Sequence, residues 1–275
     1  KKSKINRKRF YKYVVPVIEL LEKMDIFYWL DFGTLLGAVR NRSIIEWDHD
    51  FDICIWDVDR EKLIIAKEIL ETNGCKVVFQ KNLPWFEDLM QIYIPRENLA
   101  KDEKGRIKEG IDHIDIYVYT KINDKACIRE LHAPSKSKPL GVITYKLFRM
   151  INKLDPMYSV NRRLGIGKKS KAILSLVDIL PIGLKRFISR VIWQIYLHTG
   201  ETEWFIVPLK YFSKFTKISV YERDFNIPLE YEKYLGYWYS KNWRKPDSSW
   251  SSKYLGGKFV KKIRNSAISH LTVQP

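Results

Sequence analysis

Asp48, Asp50 and Asp52 alternate in SIIEWDHDFDICIW, where a polar turn runs into an apolar strand. Carboxylates so close together repel one another unless something positive sits among them. Phe51, Ile53 and Ile55 fall on one face of the strand, while Asp50 and Asp52 share the other. Both head groups can therefore reach one ion. A hard divalent cation suits them, Mg²⁺ first and Mn²⁺ as the alternative, because it takes oxygen ligands and completes its shell with water and substrate phosphates. The partner implied is a phosphate-bearing molecule. A calcium loop of the EF-hand type starting at Asp48 is excluded, since its sixth and twelfth positions would be Ile53 and Asp59 in place of Gly and Glu.

Asp115 lies in HIDIYVYT, opposite a face made by Ile114, Ile116 and Val118. With the same parity on a neighbouring strand, it completes a three-carboxylate metal site and can take the proton of an attacking hydroxyl. His49 and His113 sit close to these acids but are read as polar neighbours and left out of the metal site.

These acids need elements to hold them. FYKYVVPVIELLEKMDI has helical spacing at Val14, Val17, Ile18, Leu21 and Met24, after a basic arm, KKSKINRKR. FYWLDF reads as a short strand, and Gly33 with TLLGAVR as a turn into a helix whose first N–H groups are free for a phosphate. The Thr34 hydroxyl and, at the far end of that helix, Arg40 would serve the same ligand. REKLIIAKEILETNG is a helix stopped by Gly74, and KVVFQ and DLMQIYIP are strands.

Residues 136–190 carry thirteen Lys and Arg, including Lys146, Arg162, Lys171 and Arg190, against only Asp155 and Asp178. This helical segment is the expected meeting place for a polyanion, including the face of a membrane. The C-terminal stretch FNIPLEYEKYLGYWYSKNWRKPDSSW is dense in aromatics and reads as core and packing. The organisation expected is a single domain over 1–275, with a catalytic core at 1–135, a basic helical insertion at 136–200 and an aromatic-rich part at 201–275.

Composition narrows the class. With 45% hydrophobic residues the chain is a folded one, and 49 Lys plus Arg against 32 Asp plus Glu give +17, a field that gathers anions. Three cysteines without a C-x-x-C cluster argue against a disulfide framework or a structural zinc. No run is long and apolar enough to span a bilayer. The chain starts at Lys1, which leaves room for a leader, anchor or further domain ahead of it.

FGTLLGAVRNRSIIEWDHDFDICI resembles the signature of the LicD/fukutin family, F-G-[ST]-L-L-G-x-x-R followed by P-W-D-x-D-x-D. HIDIYVY resembles the family's later strand with its single aspartate, and YLGYWYSKNWRKP its loose C-terminal element. Glu46 departs from the usual proline, and His49 from the aspartate of many bacterial members. The resemblance implies an α/β (α+β) fold, a nucleotidyltransferase-like mixed sheet with flanking helices. It also implies a Mg²⁺-dependent transferase that moves a phospho-alcohol such as phosphocholine, phosphoribitol or glycerol phosphate from a CDP-linked donor to a glycan hydroxyl. Carried over, Asp50, Asp52 and Asp115 bind metal and Gly33, Thr34 and Arg40 line the donor phosphates. A bacterial member would work in the cytoplasm at the inner membrane face, and an anchored animal-like one in the Golgi lumen. Two rivals stand beside this expectation: a D-x-D glycosyltransferase using a nucleotide sugar, and a basic nucleic-acid-binding protein. The latter has no RNA-binding or helix-turn-helix signature to support it, so no specific nucleic-acid partner is expected.

Overall fold

A computed structural model describes residues 2–78, 88–95, 110–130, 201–247 and 260–264, with scattered positions between 140 and 195. The chain divides into two compact units, Lys1–Glu130 with Phe205–Lys261 and Leu131–Trp204 with Lys262–Pro275. The expected basic helical segment falls in the second unit, almost wholly outside the described residues. Among those that are described there, Leu184, Phe187 and Val191 are helical and exposed.

The first unit opens with α1 (Lys2–Arg9), so the basic arm is helical, and passes through a π-helical turn, Phe10–Val14, into α2 (Val15–Lys23). Pro16 explains the turn. Its ring crowds the carbonyl four residues back, and the chain ahead of it widens so that the Val15 N–H donates to the Phe10 carbonyl, one residue beyond the α-helical partner.

Strand β1 (Tyr28–Leu30) leads into α3 (Phe32–Asn41), and β2 (Asp50–Trp56) leads into α4 (Arg60–Thr72). Then come β3 (Lys76–Val78), β4 (Leu89–Tyr93), β5 (His113–Ile122), β6 (Lys125–Glu130) and β7 (Glu201–Pro208). A hairpin of β8 (Phe215–Val220) and β9 (Arg223–Pro228), helix α5 (Tyr231–Tyr239) and β10 (Val260–Arg264) complete the described elements. The larger sheet runs β1-β2-β5-β6-β7-β10, with β4 on β5 and β3 on β4. It is mixed: β2 and β5 are parallel, whereas β1 with β2, β4 with β5 and β5 with β6 are antiparallel. The architecture is thus the expected α/β one, a mixed sheet with flanking helices.

One register decides what the sheet can do. Pairing of β2 with β5 sets Asp50 opposite His113 and Asp52 opposite Asp115. Period-two alternation then brings these side chains to one face, and sends Phe51, Ile53, Ile114 and Ile116 to the other, where they are buried in the core. The acidic face is covered too, for Asp52 and Asp115 are each only 4% exposed. Aromatic rings bind the core together, with Trp29 stacked on Tyr119 at 5.8 Å and Phe10 against Phe51 at 5.7 Å. Among the described residues no helix is long and apolar enough to cross a membrane.

Candidate active site

Helix α3 is aimed by its first residues. Asp31 is extended and caps the helix, accepting from the Phe32 N–H at 2.7 Å. Phe32 then takes a left-handed backbone (φ 45°), a conformation that costs an aromatic residue on the order of 1 kcal/mol or more. Packing holds it there, since its ring lies 4.7 Å from Tyr117 and 5.4 Å from Trp238. This kink swings the start of α3 onto the acidic face of β2. Thr34 locks it down, its hydroxyl accepting from the Asp52 N–H at 2.7 Å and its N–H and hydroxyl lying 3.4 Å from Asp52 Oδ2.

Gly33 borders the cavity in front of the acids, and a Cβ there would lie 2.5 Å from Asp48 Oδ2. Only glycine leaves Asp48 its place. Thr34, expected on the donor phosphates, is instead buried and engaged with Asp52.

The four carboxylates Asp48, Asp50, Asp52 and Asp115 crowd one another. Burial and the charges of Asp50, Asp48 and Asp115 hold the Asp52 carboxyl well above the usual carboxylate range, against the stabilising Thr34 N–H. Asp48 is raised likewise, by burial and then by Asp50. Burial pushes Asp115 up to about 6; Asp50 adds to the rise, while His113, Gln91 and Tyr117 oppose it. The Asp115 carboxylate is held by Gln91 Nε2 at 3.1 Å, and Gln91 in turn accepts from the Tyr93 hydroxyl at 2.8 Å. Such crowding calls for a cation.

The tightest grouping of metal-type donors among the described residues is Asp50, His113 and Asp115, with their ligand atoms all within 4.8 Å of one another. His113, set aside in the sequence reading, is therefore brought in. Burial pulls its imidazolium down, but the hydrogen bond to Asp112 and the charges of Asp115, Asp112 and Asp50 outweigh it and lift it to about 9. The residues fit a divalent ion. The donors converge, they carry excess negative charge, and Asp50 among them lines the cavity described next.

The cavity encloses about 870 Å³, and its lining includes Asp48, Asp50 and Asp52. Arg40 also lines it. Its Nε and Nη2 are buried and find no hydrogen-bond partner among the described residues, and its guanidinium lies 6.0 Å from the Trp47 ring centre. Burial draws the guanidinium below its ordinary value, though Tyr239 pulls the other way. A half-buried guanidinium with buried, unpartnered nitrogens is built to receive an anion.

Further lining comes from far along the chain: Trp238 and Tyr239 at the end of α5, then Asn242, Trp243 and Lys245. The C-terminal aromatics were expected to be core, and Tyr234, Leu235 and Trp238 are. The same segment also furnishes half the cavity, which the sequence reading missed.

Residues 25–138 match the family profile of the LicD/FKTN/FKRP nucleotidyltransferase domain. These residues are similar to that domain. An uncharacterized protein of Rickettsia typhi is 32% identical over 128 residues, covering 46% of this chain and 34% of that one. Ribitol 5-phosphate transferase FKRP of Mus musculus is 48% identical over 102 residues, covering 31% of this chain and 21% of that protein. The chain thus spans about a third or less of the curated relatives it matches. Among solved structures, the antibiotic-resistance factor ANT(2'')-Ia superposes with a TM-score of 0.27 at 12% identity, covering 66% of this chain and 89% of that one, a likeness too slight to support a shared fold. The LicD motif falls on α3 and β2, the two elements that Thr34 and Asp52 tie together.

Proposed function

We propose that this chain is a divalent-metal-dependent phosphotransferase, moving a phospho-alcohol from a CDP-linked donor to a hydroxyl of a glycan. The observation that carries the reading is one cavity lined both by crowded carboxylates and by a half-buried Arg40 whose Nε and Nη2 have no hydrogen-bond partner among the described residues. A diphosphate can bridge a carboxylate-held cation and such a guanidinium. Aromatic faces at Trp47 and Trp243 suit a pyrimidine base, and the similarity to ribitol 5-phosphate transferase FKRP supports a phospho-alcohol as the group moved.

A divalent ion held by Asp50, Asp115 and their neighbours would neutralise phosphate charge and ease departure of the leaving group. The chain's own groups do the rest. Arg40 holds the phosphates, Gly33 lets them approach the start of α3, and Asp52 is fixed by Thr34. The acceptor oxygen bonds to the phosphorus next to the alcohol, the bond to CMP breaks, and the hydroxyl proton passes to a site carboxylate. The basic segment 136–190 would hold a phosphorylated acceptor or meet the anionic membrane face where such glycans are built.

Calorimetric binding of CDP and its choline, glycerol and ribitol esters, with and without Mg²⁺, tests this on the wild-type chain and on Asp50→Asn. Metal-dependent binding of one ester, lost in Asp50→Asn, is the expected result. Binding of nucleotide sugars alone, with a product heavier by one sugar, would replace phosphotransfer with glycosyl transfer.

A further inference from the structure

His113 enters the acidic face by the same register that places Asp115. It stands two residues before Asp115 on β5 and opposite Asp50 on β2. Its Nε2 points at both acids, 3.5 Å from Asp115 Oδ1 and 4.0 Å from Asp50 Oδ2. Two ligands bonded to one ion at about 2.1 Å lie about 3.0 Å apart when adjacent and about 4.2 Å apart when opposite. Both observed separations fall inside that span.

The other face of the ring is prepared as well. Nδ1 is hydrogen-bonded to the Asp112 carboxylate, which leaves Nε2 as the free donor atom. A carboxylate behind an imidazole is the usual companion of a metal-binding histidine, fixing its tautomer and its direction. The ring is also stacked on Tyr93, with centroids 5.7 Å apart and planes 28° apart. Tyr93 and Gln91 of β4 thus brace His113 and Asp115 together. Asp52, by contrast, is turned toward Thr34 at the start of α3 and stands outside the converging set.

From this geometry we infer that His113 Nε2 is a ligand of the divalent ion, with Asp50 and Asp115, so that the site takes a first-row transition ion such as Mn²⁺ in preference to Mg²⁺. The inference rests on the metal-dependent reading above and changes its ligand set. Imidazole is a softer donor than carboxylate, and it raises affinity for transition ions while doing little for Mg²⁺. Asp112 acts as a positioning residue.

The test uses the full chain with Mn²⁺ alone as the probe. Pulsed electron paramagnetic resonance of the Mn²⁺ complex should show ¹⁴N modulation that changes to the ¹⁵N pattern in protein labelled with [¹⁵N]histidine. The signal should persist in His49→Gln and vanish in His113→Gln, whose Mn²⁺ affinity should fall roughly tenfold or more while Mg²⁺ affinity changes far less. Asp112→Asn should retain the nitrogen signal and weaken Mn²⁺ binding by about tenfold. Because the wild-type spectrum is itself decisive, the test survives a variant that fails to fold. Mn²⁺ that binds in an Asp50-dependent way without nitrogen modulation would overturn the ligand assignment and leave the metal-dependent reading standing. Absence of Mn²⁺ binding, or binding indifferent to Asp50→Asn, would overturn both.

Discussion

Two buried acids lie on either side of the first turn of α3, and they have opposite surroundings. Behind the turn, Asp31 is fully buried and has donors all round: the Phe32 N–H at 2.7 Å, the Tyr234 hydroxyl at 2.8 Å and the Cys54 thiol at 3.4 Å. In front, Asp52 is nearly as buried but has Asp48, Asp50 and Asp115 for company and, among the described residues, only Thr34 to donate. Burial raises both carboxyls, Asp31 to about 6. What separates them is the supply of donors. A satisfied acid holds the fold, and a crowded, underprovided one waits for a ligand.

The sharpest way to break this contrast is Asp50→Asn. Transfer should drop by on the order of a thousandfold, about 4 kcal/mol of transition-state stabilisation, while the apo protein melts no lower, because one of several mutually repelling charges is gone. Turnover of the CDP ester together with a thermal melt in chelator checks both halves; a collapsed melting point would make the front acids structural, like Asp31.

Asp31 comes next, through pH. Its folded value, about 6, lies above the ordinary 3.8, so its contribution to stability is fully present below pH 4 and is lost as pH rises through 6. The loss amounts to roughly 3 kcal/mol. Urea unfolding at pH 4, 5, 6 and 7 in chelator should show this slope in the wild type and a flatter one in Asp31→Asn. Divalent metal should not restore the difference between the two proteins.

Tyr234→Phe removes a donor from Asp31 and should cost about 1–2 kcal/mol of unfolding free energy with nucleotide binding unchanged. Equal losses of stability and binding would mean that the two acids act as one unit. The smallest effect is expected at Gly33→Ala. The new Cβ meets only the tip of the Asp48 side chain, which can swing away, so stability should change by less than about 1 kcal/mol while transfer falls by about tenfold. Gly37, whose added Cβ would meet the Ser43 carbonyl at 2.6 Å, provides the control in which stability falls instead.

The acids were legible because strand parity is a local property. Asp50 and Asp52 declare their shared face within a few residues, and Asp115 does so against its own apolar neighbours. His113 obeyed the same parity in H-x-D beside D-x-D, but a single histidine has no periodicity of its own, and the pairing with Asp50 exists only once β2 and β5 are in register. Trp243 and Lys245 were hidden for a different reason. They reach the cavity across most of the length of the chain, so no spacing announces them. The helical form of the basic arm was also missed, for α1 has no apolar stripe to mark it.

The parallel pairing of β2 with β5 has a kinetic side. Two strands running the same way cannot be joined by a tight turn, so everything from Asp57 to Asp112 must loop out and return before Asp50 faces His113 and Asp52 faces Asp115. Closing that loop comes before the contacts that reward it, which places ligand-binding competence in a slow phase of refolding, after the local helices have formed. Recovery of Mn²⁺ binding after dilution from denaturant would then serve as a stopwatch for the long-range step, lagging behind the recovery of helical signal.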